Sequence, residues 1–464
     1  MNKTQSVLNT DQYDRRRFDE LLNVSEKLIT VKEQGEKHIP LFSHLMGDMW
    51  AGLFKMQPRL LEEVPSDLSV NQQLMQHIME DRDYTDLREF TRLDDFASAL
   101  GTTKYSETTL RWITQQMDER QDVFDACDQY AQGLPDASQA VAKAISSALN
   151  DEGHALSNML AKATEEAMTT KENVELLLGG LQAGNRAGEL QRIPLQEKLI
   201  LAEHLSHHPK MREIAKWAGR MKQIAYRKQR STYTASMARS GVKQGQDISQ
   251  LLPMELGYYA SSITKMDFLR RYVEGQTLQY DTKGPESLAK GPIILCLDQS
   301  GSMSTLDAAA KGFTLALMSI ARKQKRDFAL IPFSDTAEQT FFYMRGNIKV
   351  EDMVRLATSF VGGGTKFKPP LLRAADVLNN HPFKQADIVF VTDGSSDDID
   401  STFMNDWNHL RQKKHVSVLS LLLGVESVSG VEAFSDRIVK ASSFEDDAIH
   451  EVFTIGGKKN EAES

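Results

Sequence analysis

Three oxygen-bearing side chains alternate along the short segment that contains Asp298, Ser300 and Ser302. The apolar run at residues 292–297 comes directly before them and predicts a buried strand. In an extended chain, residues at alternate positions point to the same side, so the carboxylate and the two hydroxyl groups can meet at one point. Such a set of hard oxygen atoms suits Mg²⁺ or Mn²⁺ and does not suit zinc or copper.

Two later segments offer further oxygen atoms. Three glycines at 362–364 lead into Thr365, and glycine lets a backbone come close to a neighbouring loop. Another apolar run ends directly before Asp393. Ligands of open parallel sheets bind beyond the carboxyl ends of the strands, where the strand order reverses. The sequence therefore predicts one site that combines Asp298 with Thr365 and Asp393.

The apolar pattern that must position these residues changes near residue 285. Before it, apolar residues recur at helical spacing, as at Val141, Ile145 and Leu149. After it, short apolar runs alternate with amphipathic segments, which predicts a parallel sheet covered by helices on both faces. The predicted strands are 292–297, 328–333, 386–392 and 416–423, the predicted helices include 308–321 and 402–414, and 338–344 is a candidate antiparallel edge strand.

We therefore predict three parts. Residues 1–285 form a mostly α-helical region that serves in docking and ends in a linker. Residues 286–456 form an α/β domain of Rossmann-like type, with a central, mostly parallel sheet flanked by helices. Residues 457–464 are polar and form a disordered tail.

The residues of the predicted site resemble the metal ion-dependent adhesion site of von Willebrand factor A (VWA) domains. The motif DQSGS, then a Thr after a glycine run, then TDG occur in the order and at a spacing compatible with that family. The resemblance implies that Ser300, Ser302 and Thr365 ligate the ion directly, while Asp298 and Asp393 act largely through water. It also implies that the sixth position is left for an Asp or Glu of a partner.

The sequence before this domain resembles ViaA-type proteins, a bacterial family with a helical front half and a VWA domain. The resemblance rests on the segments LLPMEL at 251–256, FLRR at 268–271 and KGP at 290–292. It implies a partnership with a MoxR-type AAA+ ATPase in chaperone-like remodelling or assembly. It covers residues from about 175 onward and assigns no role to residues 1–150.

The composition is that of a globular protein, with 464 residues, 41% hydrophobic and 26% charged. Cys127 and Cys296 lie far apart in apolar or amphipathic runs, which favours a reducing compartment and a buried, unreactive Cys296. The start of the chain lacks the apolar core of a signal peptide, and no stretch has the roughly 18 apolar residues of a membrane span. We therefore expect a cytoplasmic protein without a transmembrane segment.

The motifs favour a binding protein over an enzyme. No G-x-x-x-x-G-K-[ST] motif occurs, so the chain is not itself a P-loop ATPase, and any ATP-driven role requires a partner. Ser300 lacks the G-x-S-x-G setting of a nucleophilic serine. A metal-dependent hydrolase is the alternative. Asp397, Asp398 and Asp400 are its nearest acidic residues, although we expect them on the loop and helix start after a strand.

Two other features could bind ligands. His204 and His208 stand one helical turn apart and could hold a transition metal, but solvated histidines at a helix end are the simpler interpretation. The run from Lys210 to Lys243 contains ten Lys or Arg residues and a single acid, Glu213. This basic run could bind nucleic acid, anionic lipid or an acidic protein surface, or it could be a solvated helix face.

Together these features predict a metal-dependent adaptor. Its VWA domain would grip a carboxylate of a client protein or of a MoxR-type ATPase through Mg²⁺ or Mn²⁺. The helical region would dock the other of these two partners. A protein that binds nucleic acid or an anionic membrane surface through the basic run alone is a further alternative.

Overall fold

The computed structural model describes residues 6–179, 193–236, 239–246, 248, 251–282, 291–383, 385–394, 396, 399–424, 428 and 430–454. This part of the chain forms two compact units. The first unit ends at Lys216, and the second begins at Trp217.

The first unit is helical, as the sequence predicts. Its helices, in chain order, are α1 (Gln12–Val24), α2 (Glu26–Gly35), α3 (Phe42–Phe54), α4 (Ser69–Glu80), α5 (Arg82–Thr91), α6 (Asp95–Glu119), α7 (Gln121–Ala131), α8 (Ala137–Leu178), α9 (Leu195–His207) and the first two turns of α10 (Pro209–Ser236). A short 3₁₀ helix, Ser66–Leu68, precedes α4.

The long helices α6 and α8 form the centre of this unit. Asp94 caps α6, because its side chain accepts a hydrogen bond from Ala97 N at 3.0 Å. Helix α8 has 42 residues and bends at Glu152, whose φ of −130° and ψ of 20° are not helical. Polar partners from α6 and α4 hold the bend: Gln116 Nε2 donates to Glu152 Oε2 at 3.0 Å, and His77 Nε2 lies 3.2 Å from Gly153 O.

A small antiparallel ribbon opens the β-structure of the second unit. Strands β1 (Arg239–Gly245) and β2 (Thr277–Thr282) pair with each other, and helices α11 (Pro253–Ala260) and α12 (Lys265–Val273) lie between them in the chain. Glu255 is fully buried and accepts two hydrogen bonds from Arg271, at 2.9 and 2.8 Å, and one from Leu278 N at 3.0 Å. A charged pair thus holds together the LLPMEL and FLRR segments on which the family resemblance rests.

The main sheet has six strands in the order β5-β4-β3-β6-β7-β8. All neighbouring pairs are parallel except β4 with the edge strand β5. The elements are β3 (Ile293–Asp298), α13 (Asp307–Lys323), β4 (Phe328–Phe333), β5 (Phe341–Tyr343), α14 (Val350–Thr358), α15 (Lys368–Asn379), β6 (Asp387–Thr392), α16 (Ser401–Lys414), β7 (Ser417–Leu423) and β8 (Arg437–Ala441), with 3₁₀ helices at Ser302–Thr305, Met344–Gly346, His381–Phe383 and Asp447–Thr454.

The predicted α/β architecture is therefore confirmed, including the antiparallel edge strand β5. The central strands are apolar throughout because helices cover both faces, and every residue of β3 is buried. On one face, Ile294 and Cys296 contribute to a core that includes Phe390 and, from helices α15 and α16, Leu371 and Trp407. Packing against this core holds β3 and β6 in place, and with them the residues that follow each strand.

The domain boundary predicted at residue 285 differs from the point where the second unit begins. The part of α10 that begins at Trp217 lies directly against α13: a Cβ atom on Gly312 would be 2.5 Å from Trp217 Cβ and 2.8 Å from Ala218 N. Because of this contact, residues from Trp217 onward belong with the sheet. The predicted tail at 457–464 lies outside the described residues.

None of the helices in the described ranges combines the length and the apolar character that a membrane span requires.

Candidate metal site

The predicted site lies where the strand order reverses. Strand β3 has β4 on one side and β6 on the other, so the chain leaves β3 in one direction and returns to the opposite side. Ligands of parallel sheets bind in the crevice between such strands. Asp298 is the last residue of β3, and Asp393 comes directly after β6.

Asp298 is held by two hydrogen bonds at the bottom of this crevice. It is only 1% exposed. Its Oδ1 accepts from Ser300 N at 2.8 Å, and its Oδ2 accepts from Thr392 Oγ1 at 2.5 Å. Burial raises the pKa of Asp298, the hydrogen bonds from Thr392 and Ser300 oppose that rise, and the nearby charge of Asp393 adds to it.

The two serine hydroxyls complete a chain of oxygen atoms. Ser300 Oγ and Ser302 Oγ are 3.1 Å apart, and Ser302 Oγ donates to Asp393 Oδ1 at 2.9 Å. Ser302 is exposed and Asp393 is partly exposed, so the outer end of the chain faces solvent. The structure therefore brings together Asp298, Ser300, Ser302 and Asp393.

The glycine turn brings Thr365 to the same place. Gly362 N donates to Gln299 O at 2.9 Å, and Gly301 N donates to Gly363 O at 2.8 Å. Gly362 and Gly363 have φ angles of +72° and +96°, which side chains disfavour. A Cβ atom on Gly394 would lie 3.4 Å from Thr365 Oγ1. Thr365 thus lies beside the residue that follows Asp393.

Two residues that support the site were not predicted. Thr392 anchors Asp298, as described above. Asp335 follows β4, and its Oδ2 accepts from Gly364 N at 2.8 Å, which holds the glycine turn from the other side. The available signal for Asp335 was its position directly after a predicted strand next to β3, where strand ends converge.

The donor set fits a hard divalent cation. Within the described ranges, no Lys or Arg side chain forms an ion pair with Asp298 or Asp393, and the charge of Asp393 raises the pKa of Asp298. The 3.1 Å between Ser300 Oγ and Ser302 Oγ is close to the roughly 3 Å between adjacent ligands of an octahedral Mg²⁺ with bonds of about 2.1 Å. The same ranges hold no cluster of three His, Cys, Asp or Glu side chains suited to a metal.

The other candidate ligands do not form a comparable site. The rings of His204 and His208 stack with centroids 6.1 Å apart, and the neighbouring His207 Nδ1 lies 2.8 Å from Glu203 O. Cys296 is buried, which raises the pKa of its thiol, and this agrees with the predicted inert role.

The basic run is not one continuous free surface. Lys222 is only 3% exposed, and Arg220 forms an ion pair with Glu445 at 2.5 Å. The side chains of four members lie outside the described residues: Lys228, Arg230, Arg239 and Lys243.

The structure describes one of the three acidic residues that we considered for a hydrolase. Asp397 and Asp398 lie outside the described residues. Asp400 caps α16, because its Oδ1 accepts from Phe403 N at 2.7 Å. It also pairs with Lys368 at 2.6 Å, and the hydrogen bond from Lys368 lowers the pKa of the Asp400 carboxyl.

Comparison with known proteins identifies the domain. The von Willebrand factor type A domain family matches residues 293–395, the segment from the first strand of the main sheet through the loop after Asp393. This match, the sheet order and the site geometry define a VWA domain.

Similar proteins extend the comparison to the helical region. An uncharacterized protein of Methanocaldococcus jannaschii is 24% identical over 97% of this chain and 99% of its own length. A second uncharacterized protein of that organism is 27% identical over 56% of this chain and 66% of its own. The regulatory protein ViaA of Proteus mirabilis is 26% identical over about half of each protein, 49% and 53%. The chain therefore contains a VWA domain and is similar to ViaA over about half of its length.

Proposed function

We propose that this chain is a metal-dependent adaptor that binds a carboxylate of a partner protein at the crevice between β3 and β6. The observation that carries this proposal is the convergence of two carboxylates without an ion-pair partner and three hydroxyl-bearing residues in one crevice, whose outer end faces solvent. The fit of these oxygen atoms to Mg²⁺ or Mn²⁺ supports it.

Each residue has a distinct part in this proposal. Ser300, Ser302 and Thr365 would hold Mg²⁺ or Mn²⁺ directly, and the ion would offer a further position to an Asp or Glu of the partner. Asp298 supplies negative charge from a buried position and orients the backbone of Ser300. Asp393 accepts the hydrogen of Ser302 and so turns the lone pairs of that hydroxyl toward the crevice.

We infer that the partner is a MoxR-type AAA+ ATPase or a client protein that such an ATPase acts on. The family resemblance supports this choice, and one similar protein, ViaA, bears the name of a regulatory protein. The chain has no P-loop motif of its own, so a role in ATP-driven remodelling or assembly needs such a partner.

A binding role is better supported than hydrolysis. A metal-dependent hydrolase needs a base positioned to take a proton from water. Of the acidic residues considered for that role, Asp400 is committed to a helix cap and an ion pair with Lys368. We therefore propose that the chain is not an enzyme. We also propose that it acts in the cytoplasm.

The test is capture of a purified MoxR-type AAA+ ATPase by the full-length chain in Mg²⁺. Asp393→Ala should reduce capture at both low and high salt, because a metal-bridged contact is short-range and weakly screened. Asp406→Ala, an exposed aspartate of α16, is the matched control and should keep capture. Equal capture by the two variants would contradict the proposed role of the site.

A further inference from the structure

We propose that a buried ion pair, Asp307 with Lys311, is a positioning element that holds the Thr365 loop at the metal site. This inference rests on the proposed metal-binding function and adds residues that neither the motifs nor the family match assign. Both residues lie in the first two turns of α13, directly after the 3₁₀ helix that contains Ser302.

The pair is completely enclosed. Lys311 is 0% exposed and Asp307 is 2% exposed. Lys311 Nζ lies 2.7 Å from Asp307 Oδ2 and donates to Ser359 O at 2.6 Å and to Ala357 O at 3.2 Å. An ammonium group has three N–H donors, and Lys311 uses two of them on these backbone carbonyl groups.

The two carbonyl groups belong to the entrance of the glycine turn. Ala357 lies in the last turn of α14, where backbone carbonyls lack helical partners, and Ser359 comes just after the helix. Six residues later the chain reaches Thr365. The turn between them contains Gly362 and Gly363, so its backbone is intrinsically free and its position depends on contacts at its ends.

Lys311 and its partner Asp307 both lie on the helix that follows the other ligand loop. The segment from Asp298 to Ser302 runs through a 3₁₀ helix straight into α13, and Asp307 is the first residue of that helix. The two hydrogen bonds from Lys311 therefore join the helix that follows the serine loop to the entrance of the Thr365 loop. Buried ion pairs contribute little net stability compared with apolar residues of similar size, so stability alone does not account for a charged pair here.

The test measures Mg²⁺ affinity of the full-length chain by calorimetry. Lys311→Met keeps the length of the side chain and removes its donors, and we expect roughly tenfold weaker binding, as for other supporting partners of metal ligands. Lys311→Met combined with Asp307→Asn removes both charges, avoids an unpaired buried carboxylate, and should show the same loss. Retained circular dichroism in either variant makes the comparison valid.

A matched control distinguishes positioning of the Thr365 loop from a general effect on stability. Arg326 is buried in the same unit and bonds to Gly291 O and to Asp387, the first residue of β6, at the opposite end of the sheet from the site. Arg326→Met should lower the melting temperature and leave the Mg²⁺ affinity unchanged. Equal loss of affinity in Arg326→Met and Lys311→Met would overturn the positioning role.

A double-mutant cycle tests whether Lys311 affects the Mg²⁺ affinity through Thr365. If Lys311 acts through Thr365, Lys311→Met should cost about tenfold in the wild-type background and little in a Thr365→Ala background. Fully additive losses, or unchanged affinity in Lys311→Met, would overturn this inference and leave the metal site standing. Absence of Mg²⁺ binding by the wild-type chain would instead overturn the proposed function, and the inference with it.

Discussion

Thr392 shows how one hydroxyl group shapes the charge of the site. It donates to Asp298 Oδ2 at 2.5 Å and accepts from Gly394 N at 3.0 Å, so it connects β3 with the turn after β6. The motif TDG predicted its aspartate, Asp393, as a site residue. The role of Thr392 was not predictable, because a sequence does not show which neighbouring strand a threonine faces. The parallel pairing of Leu297 with Val391 is what sets Thr392 beside Asp298.

Removing this hydroxyl should weaken metal binding. In Thr392→Val the Asp298 carboxylate loses a bond that favours its charged form, so its pKa should rise further and its attraction for a cation should fall. We expect a several-fold loss of Mg²⁺ affinity by calorimetry. Thr314→Val removes a buried hydroxyl that bonds only within α13, to Ala310 O, and should leave the affinity unchanged.

Asp48 makes the helical unit sensitive to pH. It is 1% exposed, accepts from Ser6 Oγ and from Val7 N, and burial raises its pKa to about 6. A folded pKa above the unfolded value of about 3.9 means that the folded state binds the proton more tightly. The resulting stability is fully present below about pH 4 and is lost as the pH rises through about 6.

Comparison with a neutral variant isolates this effect. Between pH 4 and pH 7, the unfolding free energy of the wild type should fall by about 2 kcal/mol relative to Asp48→Asn, which lacks the titrating group. Urea unfolding followed by circular dichroism measures it. Asp67→Asn, at an exposed position of the same unit, should follow the wild type. Parallel pH profiles for wild type and Asp48→Asn would contradict the raised pKa.

At the scale of elements, apolar runs predicted the strands that are buried on both faces. Strand β4 occupies the predicted residues 328–333, and β6 and β7 each begin one residue after the predicted start. Strand β8 was not predicted, because Arg437 and Lys440 are exposed and interrupt its apolar pattern. The ribbon of β1 and β2 was missed for a similar reason: its sequence, RSGVKQG with TLQYDT, is mostly polar.

The glycine turn offers a test at this scale. A Cβ atom on Gly363 would lie 2.9 Å from Asp335 Oδ2, whereas one on Gly362 would meet nothing within 4 Å. Both residues have positive φ, so alanine at either position should cost roughly 1–2 kcal/mol of backbone strain. Only Gly363→Ala should also displace the contact between Asp335 and the turn.

The two variants should therefore differ in metal binding. Gly363→Ala should lose more Mg²⁺ affinity than Gly362→Ala at similar thermal stability, as measured by calorimetry and by thermal unfolding. A larger loss in Gly362→Ala would show that backbone strain alone, and not the Asp335 contact, governs the position of Thr365.

At the scale of the whole molecule, the sequence predicted a helical region followed by an α/β domain but did not locate the compact units. Helix α10 is continuous in sequence pattern, so nothing in its periodicity marks the change at Trp217. The contact between Trp217 and Gly312 is a long-range one, and Lys323 Nζ lies 5.3 Å from the ring centre of Tyr226. Long-range contacts of this kind are not encoded in local spacing.

The unit boundary predicts how fragments behave. A fragment of residues 217–464 keeps the α10 turns that cover α13, whereas a fragment of 286–464 leaves that surface of α13 exposed to water. The longer fragment should be soluble and unfold cooperatively, and the shorter one should melt at a lower temperature or aggregate. Equal thermal stability of the two fragments would show that the α10 contact contributes nothing to the sheet domain.

We propose that the oxygen atoms at the ends of β3 and β6 bind a divalent cation. Calorimetry of Mg²⁺ binding to full-length Ser302→Ala and Ser304→Ala tests it most directly, since both serines lie in one 3₁₀ helix and both are exposed, but only Ser302 donates to Asp393. We expect at least tenfold weaker binding in Ser302→Ala and wild-type binding in Ser304→Ala. Equal affinities in the two variants, or no binding by the wild type, would contradict it.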